Sequence, residues 1–168
     1  IFDTTVATTT LTNAGTTTLT GAISANTINN SGALTITAAT AGVAGGGTSI
    51  IDADAALIVT GSIGGNNAVE LLQIGDTTTL QGTANTITST VFTADDTLNI
   101  GITANGVAQN IDSVITTTNE TGTINVVNAS NTVTFEKVIG TTGDRVKVLQ
   151  IADNANTTFK SAVFALAL

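Results

Sequence analysis

The sequence predicts an all-β protein, folded as a β-solenoid (a parallel β-helix-like repeat), with tandem antiparallel β-sandwich modules as the alternative. Three observations carry this: a composition suited to strands, a period-2 apolar pattern cut by turn residues, and a phrase that returns after 17 residues. Thr supplies 37 of 168 residues and Asn 16, whereas Glu and Lys, charged helix formers, occur only three times each. β-Branching stiffens χ1 and suits Thr, Val and Ile to a pleated surface. Charged residues make up 10%, against roughly 25% in a typical soluble domain, yet 42% of the chain is hydrophobic and the mean hydropathy is +0.39. Disordered chains are poor in aliphatic residues and rich in charge, so the low complexity here belongs to a folded chain.

The repeated phrase comes first. Leu11-Thr-Asn13-Ala-Gly15-Thr-Thr-Thr-Leu19-Thr aligns with Ile28-Asn-Asn30-Ser-Gly32-Ala-Leu-Thr-Ile36-Thr. The Asn-x-Gly triplets read as turns, and Leu19 and Ile23 are expected to face the core. Alternation follows at Leu34-Thr-Ile36, Leu98-Asn-Ile100-Gly-Ile102, Thr123-Ile-Asn-Val-Val127 and Thr132-Val-Thr-Phe135, the signature of half-buried strands. Gly45-Gly-Gly47, Gly64-Gly-Asn-Asn67 and Asn105-Gly106 supply further turns. In a solenoid, rungs of about 17–22 residues would stack, each burying its aliphatic face on the next. Glu136-Lys-Val-Ile139 and Arg145-Val-Lys-Val-Leu149 read instead as edge or hairpin strands and favour the sandwich.

Longer echoes suggest duplication. Thr16–Gly21 returns at Thr77–Gly82, Leu34-Thr-Ile36 at Leu98-Asn-Ile100, and Val69-Glu-Leu-Leu-Gln-Ile74 at Val146-Lys-Val-Leu-Gln-Ile151, at offsets of 61, 64 and 77 residues. The expected organisation is the tail of a preceding module in 1–33, modules at 34–97 and 98–168, and one continuous domain if they stack without a break. The chain opens at Ile1 and contains no Met, so it is expected to be a processed or interior piece of a longer product.

Absent residues exclude chemistry. Without His or Cys there is no Ser-His-Asp or Cys-His nucleophile pair, no conventional zinc site and no iron–sulfur cluster. Without Trp or Tyr there is no platform for stacking bases or sugars. The net charge of −8 disfavours nucleic acid, and no apolar run reaches the roughly 18–20 residues of a membrane span. No catalytic, cofactor-binding or metal residue is assigned, and the protein is expected not to be an enzyme. Calcium is the one cofactor left open, at the acidic pairs Asp52/Asp54 and Asp95/Asp96; the simpler reading is that these are solvated turn residues. Sequons at Asn29, Asn119, Asn128 and Asn156 are expected by chance in so Asn- and Thr-rich a chain.

Charge is unevenly placed. Lys137, Arg145, Lys147 and Lys160 are the four basic residues, whereas eleven of the twelve acids lie at or before Asp144. Such polarity fits copies stacking head to tail; equally, Lys137 and Lys147 could guard an exposed strand edge. The terminal Ser161-Ala-Val-Phe-Ala-Leu-Ala-Leu168 is apolar and suits strand addition.

Taken as a set, TTTLTNAGTTTLTGAISANTINNSGALTIT and LLQIGDTTTLQGTANTI resemble the Thr/Ala/Gly/Asn-rich β-strand-repeat proteins of bacterial surfaces, S-layer-like or autotransporter-passenger-like. The resemblance implies export to the extracellular surface and a structural role, self-assembling into a layer or filament with copies of itself. An adhesin stalk contacting a cell-surface polysaccharide or host receptor is the alternative, and a polysaccharide-acting β-helix enzyme the third.

Overall fold

A computed structural model describes residues 6–20, 23–36, 50–64, 68–101, 107–127 and 131–168. Among them the chain forms sixteen strands and no helix. Odd-numbered strands make one sheet: β1 (Val6–Asn13), β3 (Ile23–Asn30), β5 (Ile50–Ala53), β7 (Val69–Ile74), β9 (Ala84–Phe92), β11 (Gln109–Thr116), β13 (Thr132–Phe135) and β15 (Asn156–Phe159). Even-numbered strands make the other: β2 (Thr17–Leu19), β4 (Leu34–Ile36), β6 (Leu57–Val59), β8 (Thr78–Leu80), β10 (Thr97–Ile100), β12 (Thr123–Val126), β14 (Val146–Ile151) and β16 (Ala165–Ala167). Each sheet runs in chain order, and every pairing between these strands is parallel.

This is a β-solenoid. The chain passes from one sheet to the other and back, so each strand pairs with its counterpart one coil later. Parallel strands cannot be joined by a tight hairpin; here the intervening strand of the opposite sheet serves as the crossover. The all-parallel pairing excludes the antiparallel sandwich. The hairpin expected of Glu136–Ile139 and Arg145–Leu149 is likewise absent: Ile139 bridges Ile115 beyond β13, and Val146–Ile151 is a strand of the other sheet.

The 17-residue echo is one coil. Leu11 registers with Ile28 and Asn13 with Asn30 in one sheet, Thr18 with Thr35 and Leu19 with Ile36 in the other. Later steps are 23 residues (Thr27 to Ile50), 21 (Ile50 to Leu71), 18 (Val69 to Ile87) and 26 (Ala84 to Asn110), a wider spread than the 17–22 expected. Part of the growth sits in the turn from the odd to the even sheet, which widens from 14–16 to 93–96 and then 117–122.

The longer echoes divide between two structural relations. Leu34 reaches Leu98 through Leu57 and Thr78, so their 64-residue offset spans three coils within one sheet. Val69–Ile74 and Val146–Ile151 lie in different sheets. Both sheets run unbroken across positions 33/34 and 97/98.

Between the sheets lies one core. Inward positions alternate with outward ones, as in β10 and β12, where Leu98, Ile100, Ile124 and Val126 are buried beside half-exposed Thr97, Asn99, Thr123 and Asn125. Leu19 is buried as expected; the side chain of Ile23 lies outside the described residues. Small aliphatic side chains fill a narrow interior because each needs only the coil above and below to exclude water. Several polar residues are buried among them, and one, Thr78, is fully buried with no hydrogen-bond partner for its hydroxyl among the described residues.

Candidate functional site

The turn from odd to even sheet stacks into a continuous corner, and most turn chemistry read from the sequence collects there. Its inward row runs Asn13, Asn30, Ala53, Ile74, Phe92, one residue per coil. Asn13 and Asn30 are buried. The Asn13 Nδ2 donates to Asn30 Oδ1 at 2.8 Å and Thr17 Oγ1 donates to Asn13 Oδ1 at 2.7 Å. Asn30 Nδ2 donates onward to the carbonyls of Ala55 and Ala56 at 3.0 and 3.4 Å. The two Asn-x-Gly triplets are therefore more than turns: their amides tie three successive coils. Gly32 is required by stacking, because a Cβ there would lie 2.4 Å from the Gly15 carbonyl oxygen.

The acidic pairs do not converge. Asp52 points outward from β5 in register with Asn29 and Gln73. Partial burial, then the neighbouring Asp54, raises its pKa above the ordinary carboxylate range. Asp54, Asp76, Asp95 and Asp96 occupy successive corner turns. Burial, then Asp76 and Asp95, raises the pKa of Asp96, whereas the hydrogen bond from Lys147 lowers that of Asp95. Among the described residues no three acidic side chains are grouped so as to hold a metal ion. Of the sequons, Asn29 and Asn156 stand exposed on β3 and β15, Asn119 sits in a turn at φ 57°, and Asn128 lies outside the described residues.

All four basic residues reach back toward earlier coils. Lys137 meets Asp112 at 3.5 Å, Arg145 meets Glu120 at 2.7 Å, Lys160 meets Glu136 at 2.9 Å, and Lys147 pairs with Asp95 two coils earlier. The uneven charge distribution seen in the sequence is thus engaged within the chain. A groove of about 300 Å³ is lined by Ala68, Thr86, Ile87, Thr88, Val114 and the Asp112–Lys137 pair.

What remains is the C-terminal edge. β15 and β16 stand last in their sheets, with one neighbour each among the described residues. Phe159 stacks on Phe135, ring centroids 5.3 Å apart and 15° from parallel. The inward positions Val133 and Phe135 are buried on β13, but their register partners Thr157 and Phe159 are only half-buried on β15. Val163 and Ala165 also pack on the core while half-exposed, and Ile151, Leu166 and Leu168 are 40%, 46% and 91% exposed. Stacking order places these residues in the last rows of the two sheets, with no strand beyond β15 or β16 among the described residues.

No protein-family model, curated protein or solved structure matches this chain. No helix among the described residues is long and apolar enough to cross a membrane.

Proposed function

We propose that this chain is a structural segment of an extracellular or cell-surface β-solenoid, which builds a layer or filament as copies of itself add parallel strands onto β15 and β16. The supporting observation is the contrast between β13 and β15: the inward row that is buried at Val133 and Phe135 is only half-buried at their register partners Thr157 and Phe159. An edge strand offers a row of unpaired N–H and C=O groups, and strand addition satisfies them while burying the apolar row. The sparsely charged, Thr-rich exterior keeps water-compatible groups outside while aliphatic residues stack inside.

Thr157→Lys tests the reading. The change places an ammonium in the inward row at the open edge, where a lone molecule can turn it to water but an added coil would bury it unpaired. Wild-type protein should form regular fibres or lattices in electron micrographs, and the variant should remain dispersed with an unchanged Tm. Dispersed wild-type monomers that bind cells would replace this reading with the adhesin stalk.

A further inference from the structure

The two sheets present different outer faces. On the odd sheet that face carries Asp52, Glu70 and Asp112, and its register shifts between Asp112 and Val114. The even sheet keeps an unshifted register from β2 to β14. Its central outward rank contains Thr18, Thr35, Ile58, Thr79, Asn99 and Asn125, one per coil. A second rank, one strand position before the buried Leu34, Leu57, Thr78, Leu98 and Ile124, contains Ala33, Ala56, Thr77, Thr97 and Thr123. None of these residues is charged or aromatic.

From this grid we infer a second activity, adsorption to ice through the outer face of the even sheet. Neighbouring strands stand about 4.7–4.9 Å apart, and same-face residues along a strand about 6.7 Å apart. The first interval is close to the oxygen repeat along the prism face of hexagonal ice. Each Thr offers a hydroxyl that can enter the lattice beside a methyl that occupies one of its hollows, and β-branching restricts χ1. Asn125 Nδ2 donates to Asn99 Oδ1 at 3.2 Å and Asn99 Nδ2 to Thr79 Oγ1 at 3.4 Å, so the polar rank is already ordered along the stack. Charges would hold their own hydration shells against the lattice, and the two ranks carry none from β2 to β12; Lys147 stands beyond them on β14. A crystalline polysaccharide would call for aromatic platforms, which are equally missing there. The face is separate from the β15–β16 edge, so this activity and end-to-end assembly fail independently.

Thermal hysteresis and partition of labelled protein into a growing ice front test it. The wild type should depress growth, shape the crystals and enter the ice. Thr79→Lys and Thr35→Lys should each lose these properties while keeping the wild-type Tm, and Gln73→Lys on the opposite sheet should keep them. Absence of hysteresis in the wild type, full activity in both Thr variants, equal loss in Gln73→Lys, or binding to crystalline cellulose in place of ice would each overturn the inference.

Discussion

The same corner is fastened in two ways at the two ends of the stack. In the first coils it is filled by buried neutral amides, Asn13 and Asn30, bonded to each other and to the next coil's carbonyls. In the later coils Phe92 fills it, Gly122 closes over the ring, and exposed pairs span the outside: Arg145 with Glu120, Lys147 with Asp95. Both regions are parallel ladders, though β9–β11 carries a register shift that β1–β3 lacks, and the contrast at the corner lies in what side chains add to stacking. Buried amides must be bonded or they cost stability, whereas exposed ion pairs add little and answer to salt.

The largest expected effect is at the later corner. Gly122 has φ +82°, and a Cβ there would lie 2.4 Å from the Phe92 ring. Gly122→Ala should therefore destabilise by about 3 kcal/mol, through overpacking and a strained backbone together, read as the shift in a urea midpoint. Wild-type stability in that variant would show that Phe92 can move aside and that the later corner is loosely filled.

Next comes the amide ladder. Asn30→Ala removes the acceptor for Asn13 and the donor to Ala55, and should cost about 2 kcal/mol by leaving buried groups unsatisfied. Its effect should appear as faster amide exchange in β1 to β6, with β11 to β14 unchanged. Equal acceleration throughout would mean that the corner ties do not act locally.

The ion pairs should matter least. Glu120→Gln is expected to cost at most about 1 kcal/mol, because both partners are well exposed, and raising salt should erase the difference. A larger, salt-insensitive loss would give Arg145 a structural role that exposed charge does not explain.

Acid should separate two adjacent carboxylates by sign. The raised pKa of Asp96 makes its ionised form a liability in the folded chain. Asp96→Asn should therefore stabilise at neutral pH, the gain fading as pH falls through the raised pKa and vanishing below the ordinary carboxylate value. Asp95 is depressed by Lys147, so its contribution is present at neutral pH and lost as pH falls through its lowered pKa. Lys147→Met should be mildly destabilising at neutral pH and neutral in acid; Tm against pH reads both.

Much of the fold was legible because a coil is a local unit. Leu11–Thr20 and Ile28–Thr37 echo each other because Leu11 and Ile28, Leu19 and Ile36 must occupy the same rows, so stacking writes its period into the chain. The turn at Asn13-Ala-Gly15 was legible but the buried amide was not: Asn-x-Gly signals a turn whether its amide meets water or the next coil, and only the neighbour's position decides. The echo of Leu72-Gln-Ile74 in Leu149-Gln-Ile151 falls on different sheets for a related reason. An inward–outward strand pattern suits either sheet, and similar sequences can serve on both. Charge pairing was hidden because Lys147 and Asp95 lie 52 residues apart and meet only across two coils. The open edge was half visible, as an apolar terminal segment whose place in the stack the sequence does not state.

Amide hydrogen exchange at low and high protein concentration tests the central claim, that the row through Thr157 and Phe159 takes another coil. At low concentration, β9 to β12 should exchange slowly, and the edge-facing amides of β15 and β16 quickly. At high concentration the amides of β15 and β16 should become as protected as those of β13 and β14. Rapid exchange there at every concentration, with the rest of the stack protected, would contradict the account.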